Sequence, residues 1–412
     1  MAQSRKDARG RVLHKGEVQR SSDGRYLYTY TDPLGKRRYI YANDLLSLRE
    51  REKKLIKDQL DGLDRYAAGR ATVNDTFDRY IATKYNLRDN TKSGYIYMYD
   101  RFVREDFGKH KLIDVKYSDV LQYYYYLLNE RNLALTTLDS IHCILHPTFQ
   151  LAVRDDIIRK NPTDGVMAEV KKKTGMHRNI RHALTVEQQR AFMNYIAESP
   201  VFSGWLPFFT VLLGTGCRIG EVVGLRWQDV DLEARTININ HAMTYYPRYE
   251  GTYKCEFKVS LPKTEAGIRV LPMMTQVYEA LKGEYDRQKE EGFSEAVVDG
   301  MSGFIFTNRF GTIHNPQAVN RAIRRIYEAH NAEEIVKAKN EHRDPVIIPH
   351  FSCHHLRHTF CTRFCENETN VKVIQSIMGH ASIETTMDIY AEVTEMTKKE
   401  ALDNLSANLN IF

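Results

Sequence analysis

The sequence predicts a mixed, mainly α-helical protein with a small N-terminal β-sheet plus helix, an all-helical middle domain, and an α-rich C-terminal domain with a small antiparallel sheet. Strand-like alternation is confined to a few short stretches near the N-terminus and in the C-terminal half, whereas helix-forming segments fill most of the rest. The length of 412 residues is enough for two or three domains, each with its own core.

Residues 1–72 are predicted to form a three-stranded sheet followed by a helix. Three tyrosines, at positions 26, 28 and 30, alternate with other residues in the period of a half-buried strand. Turn residues follow at 32–35, and residues 37–41 return as a second strand. Residues 10–14 are the candidate third strand, and residues 44–60 are the expected helix.

The same segment is strongly basic. Residues 1–40 contain ten Lys or Arg and four Asp or Glu, so they account for the whole net charge of +6. Concentrated positive charge favours a polyanionic partner, and a β-ribbon fits the major groove of DNA. The alternative is a sheet whose charges only keep it in solution. The predicted DNA-contacting residues of this sheet are Arg25, Tyr26, Tyr28, Lys36, Arg37 and Arg38.

Residues 73–170 are predicted to be all helix, and their tyrosines are more typical of a core than of a base-stacking surface. Residues 171–182 are predicted to be a basic, flexible linker. Its first three residues are further candidate DNA contacts: Lys171, Lys172 and Lys173. Residues 183–412 are predicted to place helices around a short sheet of 236–244, 257–263 and 268–272, with a turn at 265–267 between the last two strands.

No run approaches the roughly 20 apolar residues that a membrane span needs. The polar, basic N-terminus is followed by no apolar stretch, so a secretory signal is not expected and the cytoplasm is the expected compartment. The six cysteines are therefore expected to be reduced.

Six residues of the C-terminal domain together suit attack on a phosphodiester: Arg218, Lys263, His354, Arg357, His380 and Tyr390. A tyrosine is a poor nucleophile at neutral pH, since its pKa is about 10, so Tyr390 needs a proton acceptor and a cationic pocket around the phosphate. Arginine meets two phosphate oxygens at once, and histidine handles protons near neutral pH. Lys263 is placed to donate a proton to the leaving 5′ oxygen.

Local spacing supports this grouping. Arg357 follows His354 by about one helical turn, so both side chains can face one point. Arg218 is predicted to open a helix after the glycine-containing turn 214–216, where free backbone N–H groups also favour an anion. Glu221 lies three residues later and could steady Arg218, although a solvated helix charge is an equal alternative.

A zinc site is a rival interpretation, because His354, His358, Cys361 and Cys365 share one helix face. Four ligands on three helical turns cannot converge tetrahedrally, and the cysteines are more simply core residues. Neither a P-loop nor an acidic cluster for a metal-dependent nuclease is present, and transfer of a phosphodiester to tyrosine and back needs no ATP. We expect no cofactor and no metal.

The motifs around these residues resemble those of the tyrosine recombinase, or phage-type integrase, family. Gly-Cys-Arg218-Ile-Gly-Glu is similar to the family's first arginine motif and His354-His-Leu-Arg357-His to its second. Met-Gly-His380 begins a segment that resembles the one ending at the family's nucleophile, here Tyr390. The basic N-terminal sheet is similar to the arm-binding domain of conjugative-transposon and lambda-type integrases.

The resemblance implies an arm-type DNA-binding domain at 1–72, a helical, SAM-like core-binding domain at 73–170 and a catalytic domain at 183–412 with a C-terminal tail. It implies integration and excision of a mobile element through a 3′-phosphotyrosyl bond and a Holliday junction. The implied partners are core-type and arm-type sites in double-stranded DNA, a homotetramer on that DNA, and excisionase and DNA-bending proteins as candidates. The expected location is the bacterial cytoplasm at the nucleoid, with no membrane.

Two other functions stay open at this stage. A resident recombinase, such as an invertase or a chromosome-dimer resolver, would share the six residues but usually lacks an arm-binding sheet. A DNA-binding regulator that does not cleave would not need the complete set. The tail after Tyr390 has apolar positions suited either to a neighbouring subunit or to its own domain.

Overall fold

Helices dominate the chain, and three small antiparallel sheets occur among the residues described, which confirms the predicted fold class. The computed structural model describes residues 5–31, 37–60, 71–174, 183–247, 255–262, 265–368 and 370–391. The chain divides into two units, Met1–Arg178 and Asn179–Phe412, and this division falls inside the predicted linker. The boundaries of the three domains stay predictions. None of the helices described has the length and apolarity to cross a membrane.

The N-terminal sheet places Tyr26–Thr31 between strands Glu17–Gln19 and Arg37–Ala42, all antiparallel. Helix Leu45–Leu60 follows, and one face of the sheet packs against it through a small core of Tyr26, Ala42, Leu45 and Leu48. The second strand and the helix are confirmed.

The predicted third strand at residues 10–14 is wrong. Val12 forms only an isolated bridge with Lys6, and the third strand is Glu17–Gln19. The buried carboxylate of Glu17 explains the shift, because it accepts hydrogen bonds from the His14 backbone and from the Arg49 side chain on the helix. That pairing fixes Glu17, rather than residues 10–14, beside the central strand.

A second core of the first unit belongs to a group of helices, as predicted. Tyr80, Tyr99, Tyr123 and Tyr124 are buried in it, so these tyrosines are core residues. The helices are Val73–Ala82, Asp89–Phe102, Tyr117–Asn129, Leu135–Arg154 and Val166–Thr174.

The predicted flexible linker is wrong for its first four residues, which form the last turn of helix Val166–Thr174. The buried residues Val166, Met167 and Val170 hold this helix on the core. Lysines in a last helical turn also interact favourably with the helix dipole. Lys171 pairs with Asp139 at 2.8 Å and Lys173 pairs with Glu169 at 3.0 Å.

The second unit surrounds one large hydrophobic core that includes Phe192, Phe209, Leu212 and Phe304. Seven of the helices described contribute residues to this core or pack against it. They are Val186–Glu198, Leu206–Thr215, Ile219–Val223, Thr275–Glu291, Pro316–Asn340, Cys353–Asn367 and Val371–Met378. Residues 383–391 are also helical.

The single sheet predicted for this unit is in fact two. Thr236–Ile239 pairs with Val230–Asp231 and Arg269–Pro272, whereas Ala242–Pro247 pairs with Cys255–Ser260. The break falls at residues 240 and 241, because the Asn240 amide donates to Asp229 and the His241 ring bonds to the Gly224 carbonyl. The strands on either side of the predicted 265–267 turn therefore belong to different sheets, and a short 3-10 helix, Glu265–Gly267, lies between them.

Candidate active site

Arg218 and Arg357 reach the site from two helix starts. Helix Leu206–Thr215 ends at Gly216, whose φ of +62° is left-handed, and Arg218 then caps helix Ile219–Val223, as predicted. Arg357 lies in the second turn of helix Cys353–Asn367, and its guanidinium donates to the Gly216 carbonyl at 2.6 Å. The turn before Arg218 is thus held by Arg357 itself.

The two guanidinium groups then meet on one backbone turn. Arg357 donates to the Met378 carbonyl at 2.7 Å, and Arg218 donates to the Gly379 carbonyl at 2.9 Å. Gly379 ends helix Val371–Met378 in the left-handed region, with φ of +61°. Because the two acceptors belong to consecutive residues, the two arginines are neighbours in space although they are 139 positions apart.

Glu221 holds Arg218, so the contact predicted between them is present. The carboxylate accepts from the Arg218 guanidinium at 2.9 Å and from its backbone N–H at 2.8 Å. Glu221 is buried, and burial alone would raise the pKa of its carboxyl. Hydrogen bonds and charge from Arg269 and Arg218 outweigh that effect and keep the pKa below its usual value.

His380 follows this turn directly and is 7% exposed. Its Nδ1 atom lies 2.9 Å from the Thr386 hydroxyl, at the start of the last helical segment described. Burial lowers the pKa of His380 to about 4, assisted by the charges of Arg357, Arg218 and Arg269 and by His354 nearby. His380 is therefore neutral at pH 7, a state in which one ring nitrogen accepts a proton.

Positive charge exceeds negative charge in this pocket. Among the residues described, three guanidinium groups, from Arg218, Arg269 and Arg357, lie around one carboxylate, that of Glu221. Arg357 is 4% exposed, and burial and the charge of Arg218 lower its pKa to about 10. Buried excess charge is unfavourable unless an anion neutralises it. The pocket is thus built to receive an anion, and Arg218, whose side chain is 43% exposed, opens it to solvent.

His354 and Tyr390 lie on the two helical segments that flank the pocket. His354 is exposed in the first turn of helix Cys353–Asn367, close enough to influence the pKa of His380. Tyr390 is half-buried in the helical segment 383–391, and with Ile389 it packs against a small core of Cys361, Cys365, Ile374 and Met378. The two cysteines of the zinc interpretation are therefore residues of this core.

Two predicted residues, Lys263 and Lys36, lie outside the residues described. The strand before Lys263 ends at Ser260, and the chain is described again from Glu265. The predicted C-terminal tail also lies outside. Within the ranges described, one group of His, Cys, Asp and Glu atoms is close enough to share a metal ion, and it belongs to the N-terminal unit: His14, Glu17 and Glu52.

The predicted DNA contacts Tyr26 and Tyr28 are corrected by the register of the N-terminal sheet. Tyr26 is 3% exposed, its hydroxyl donates to Asp7, and both tyrosines face the core under the helix. Side chains alternate between the two faces of a strand, so the opposite face carries the partly exposed residues. That face presents Arg37, Tyr39 and Tyr41, and the Arg25 guanidinium lies over the Tyr41 ring at 5.9 Å. The two exposed tyrosines were missed because both faces of this sheet carry tyrosine.

Sequence reasoning missed two residues of the pocket. Arg269 begins strand Arg269–Pro272 on its inward face, and it could have been found from the alternation with Leu271. Thr386 is fully buried beside His380, and nothing in the sequence distinguishes it from its neighbour Thr385.

A mainly helical scaffold with a positively charged pocket and a tyrosine on an adjoining helical segment is the arrangement expected of a protein that acts on phosphodiesters. Residues 182–396 match the phage integrase family, and residues 1–59 match the DNA-binding domain of Tn916 integrase. The chain is 31% identical to the transposase from transposon Tn916 of Enterococcus faecalis over 96% of its own length and 95% of that protein. The chain belongs to the phage integrase family of tyrosine recombinases.

Solved structures agree with this assignment. The Tn1549 transposon integrase in complex with transposon right end DNA has a TM-score of 0.67 and 28% identity, covering 82% of this chain and all of that one. A lambda integrase tetramer bound to a Holliday junction has a TM-score of 0.52 at 16% identity, covering 90% of this chain and 96% of that one, and shows the shared fold. The protein is thus a site-specific DNA recombinase of a mobile element, and DNA is its partner.

Proposed function

We propose that this recombinase integrates and excises its element with Tyr390 as the nucleophile. The Tyr390 oxygen attacks the scissile phosphorus, a 3′-phosphotyrosyl bond forms, and the bond to the 5′ oxygen breaks. The leaving oxygen takes a proton, and the reverse attack by a 5′-hydroxyl rejoins the strand. No cofactor is needed, because each step replaces one phosphodiester bond with another.

The observation that carries this proposal is the convergence of Arg218 and Arg357 on the Met378–Gly379 turn, eleven residues before Tyr390. A phosphodiester carries one negative charge, and the pentacoordinate state reached during transfer carries two. The guanidinium groups of Arg218 and Arg357 supply positive charge beside this turn, so the charge balance of the pocket favours that state over the starting ester.

The remaining roles follow from the chemistry of the side chains. Neutral His380 can accept the phenolic proton at one ring nitrogen, or donate a hydrogen bond to a phosphate oxygen from the other, and His354 supplies a second imidazole at the pocket edge. Lys263 is proposed to protonate the leaving oxygen. Glu221 supports Arg218 and touches no reacting atom.

The first unit is proposed to bind DNA without supplying a catalytic group. Residues 1–72 would read arm-type sites with the sheet face that carries Arg37, Tyr39 and Tyr41, and residues 73–170 would bind core-type sites. Lys172 is exposed at the end of this helical region and remains a candidate contact. Lambda integrase forms a tetramer on a Holliday junction, and we extend that assembly to this chain, with excisionase and DNA-bending proteins as candidate partners.

The test is covalent capture on an attachment-site duplex that carries a nick beside the cleavage position. A short strand then diffuses away after cleavage, so the adduct accumulates and is seen on a denaturing gel. The intact protein should form it and Tyr390→Phe should not. Tyr85→Phe, at a tyrosine that is 90% exposed, is the matched control and should react normally.

Two results would overturn the mechanism: no adduct from the intact protein, or an adduct that survives Tyr390→Phe. The first result would favour the regulator that does not cleave. Adduct formation without integration or excision of the flanking element in cells would favour the resident recombinase.

A further inference from the structure

Arg269 is a buried arginine next to the pocket, and the roles proposed above do not use it. It begins strand Arg269–Pro272, and the strand alternation turns it and Leu271 inward while Val270 points to solvent. Only 5% of the Arg269 side chain is exposed. A buried guanidinium is costly unless its donors are paired, so its contacts reveal what it holds.

The first contact is a two-pronged pair with Glu221. The Arg269 nitrogens lie 2.8 and 3.2 Å from the two carboxylate oxygens of Glu221. The same two oxygens accept from the guanidinium and the backbone N–H of Arg218. The carboxylate is therefore held between two arginines, and its orientation sets where the Arg218 guanidinium points.

The second contact is to the backbone turn of the site. Arg269 donates from Nε to the Ile377 carbonyl at 2.8 Å. The next two carbonyls, of Met378 and Gly379, accept from Arg357 and Arg218. Three consecutive carbonyl groups thus each bind a different arginine, immediately before His380.

The close approach of this turn leaves little room for adjustment. A Cβ atom on Gly379 would come within 2.9 Å of the Arg269 guanidinium and 3.0 Å of the Ala266 carbonyl. The 265–267 turn, which precedes Arg269 and follows Lys263 in the chain, is therefore packed directly on the turn that holds the arginine pair.

We propose that Arg269 is a positioning residue for strand cleavage, which fixes Arg218 through Glu221 and fixes the Met378–Gly379 turn through the Ile377 carbonyl. This inference rests on the proposed function. Arg269 acts on the reaction only through the residues that it orients, because it is buried behind Glu221 and the turn.

The experiment compares Arg269→Gln and Arg269→Lys with a matched control, Arg226→Gln. Arg226 is also buried and forms a two-pronged pair with Asp229, at 2.8 and 2.9 Å, and none of its described hydrogen bonds reaches a pocket residue. Single-turnover cleavage of the nicked duplex, DNA affinity and thermal stability are measured for each variant at saturating, folded protein.

Arg269→Gln should slow cleavage about 100-fold, the loss expected when a positioned donor shifts by about 1 Å, with DNA affinity nearly unchanged. Arg269→Lys keeps the charge but cannot pair with Glu221 and Ile377 together. Its cleavage rate should therefore lie between that of the intact protein and that of Arg269→Gln. Arg226→Gln should lower stability and leave the rate of the folded protein unchanged.

A neutral methylphosphonate at the scissile position gives a second readout. It lacks the charge that Arg218 and Arg357 neutralise, so most of the rate difference between the intact protein and Arg269→Gln should disappear on it. A purely structural defect would persist on both substrates.

The inference is overturned if Arg269→Gln cleaves the natural duplex at the rate of the intact protein. It is also overturned if Arg269→Gln and Arg226→Gln lower the cleavage rate by the same factor. The proposed function fails separately, when the intact protein forms no Tyr390 adduct in the same assay.

Discussion

The Nδ1 atom of His380 lies 2.9 Å from the Oγ1 atom of Thr386, and this contact joins the arginine-bound turn to the helical segment of Tyr390. Thr386 and Tyr390 are four residues apart, so they lie on one face of that segment. If the neutral ring donates from Nδ1 to the hydroxyl, Nε2 is left as the proton acceptor. The threonine thus binds the imidazole from the same helical segment that carries the nucleophile.

Thr386→Val tests this connection, because valine keeps the shape of threonine and removes the hydroxyl. We expect single-turnover cleavage to fall about 100-fold, the lower end of the range for a misdirected acid–base group. Thr386→Ser keeps the hydroxyl and should stay near the starting rate. Equal rates for the valine and serine variants would show that the hydroxyl does not orient His380.

The buried neutral state of His380 predicts a loss of stability in mild acid. Its pKa is about 4 in the folded protein, while the usual value is 6.5, so the unfolded chain binds the extra proton between these two pH values. The contribution is fully present above pH 6.5 and is lost as the pH falls toward 4. Its size is about 3 kcal/mol from the linkage of 1.36 kcal/mol per pKa unit.

Urea unfolding at pH 7 and pH 5 measures this effect, and His380→Gln should flatten the dependence. A pH dependence that is the same in the intact protein and in His380→Gln would contradict the assignment. Binding of attachment-site DNA should raise the pKa of His380, since the phosphate offsets the charges of the arginines.

Gly216 combines a left-handed backbone conformation with a carbonyl that holds Arg357 in place. Its φ is +62°, its carbonyl accepts from Arg357, and a Cβ atom there would meet the Phe360 ring at 2.2 Å. Gly216→Ala should lower the free energy of unfolding by about 2 to 4 kcal/mol. This loss is the sum of the strain of a left-handed alanine and the overpacking of its Cβ atom against Phe360. Gly311→Ala has a similar φ of +71° with open space, so about 1 kcal/mol is expected.

Both tryptophans of the chain, Trp205 and Trp227, lie in the same unit as these two glycines, so tryptophan fluorescence in urea reports on both variants. Equal losses for the two alanine variants would show that the contact with Phe360 can relax. In that case the conformation of the turn alone would explain the need for glycine.

Local spacing was enough to predict one pair that lies on one element. Arg218 and Glu221 are three positions apart, a spacing that brings side chains together at a helix start, and the predicted contact is present. The convergence of the two motifs, by contrast, came from the resemblance, since no local rule brings positions 218 and 357 to one turn.

Arg269 and the tyrosines of the N-terminal sheet show why the rest could not be predicted. The alternation of the strand predicts that the Arg269 side chain points inward. It does not predict its partner Glu221, which is 48 positions away on a helix. In the sheet, both faces carry tyrosine, and only the packing of helix Leu45–Leu60 decides that Tyr26 is covered and Tyr39 is not. Burial is decided by tertiary contacts that a single strand pattern does not contain.

The exposed sheet face gives a test of DNA binding that is separate from the chemistry. Arg37 is exposed on that face beside Tyr39, whereas Lys53 is exposed on helix Leu45–Leu60, which packs on the opposite face. Each charge that neutralises a phosphate releases counterions, so its removal lowers the salt dependence of binding. Arg37→Ala should weaken binding to arm-type DNA across sequences and reduce the slope of log affinity against log salt by about 1. Lys53→Ala removes the same charge and should leave the slope unchanged.

Equal effects of the two substitutions would mean that net charge, rather than this face of the sheet, governs binding. An unchanged slope for Arg37→Ala would place the arm-type contact elsewhere.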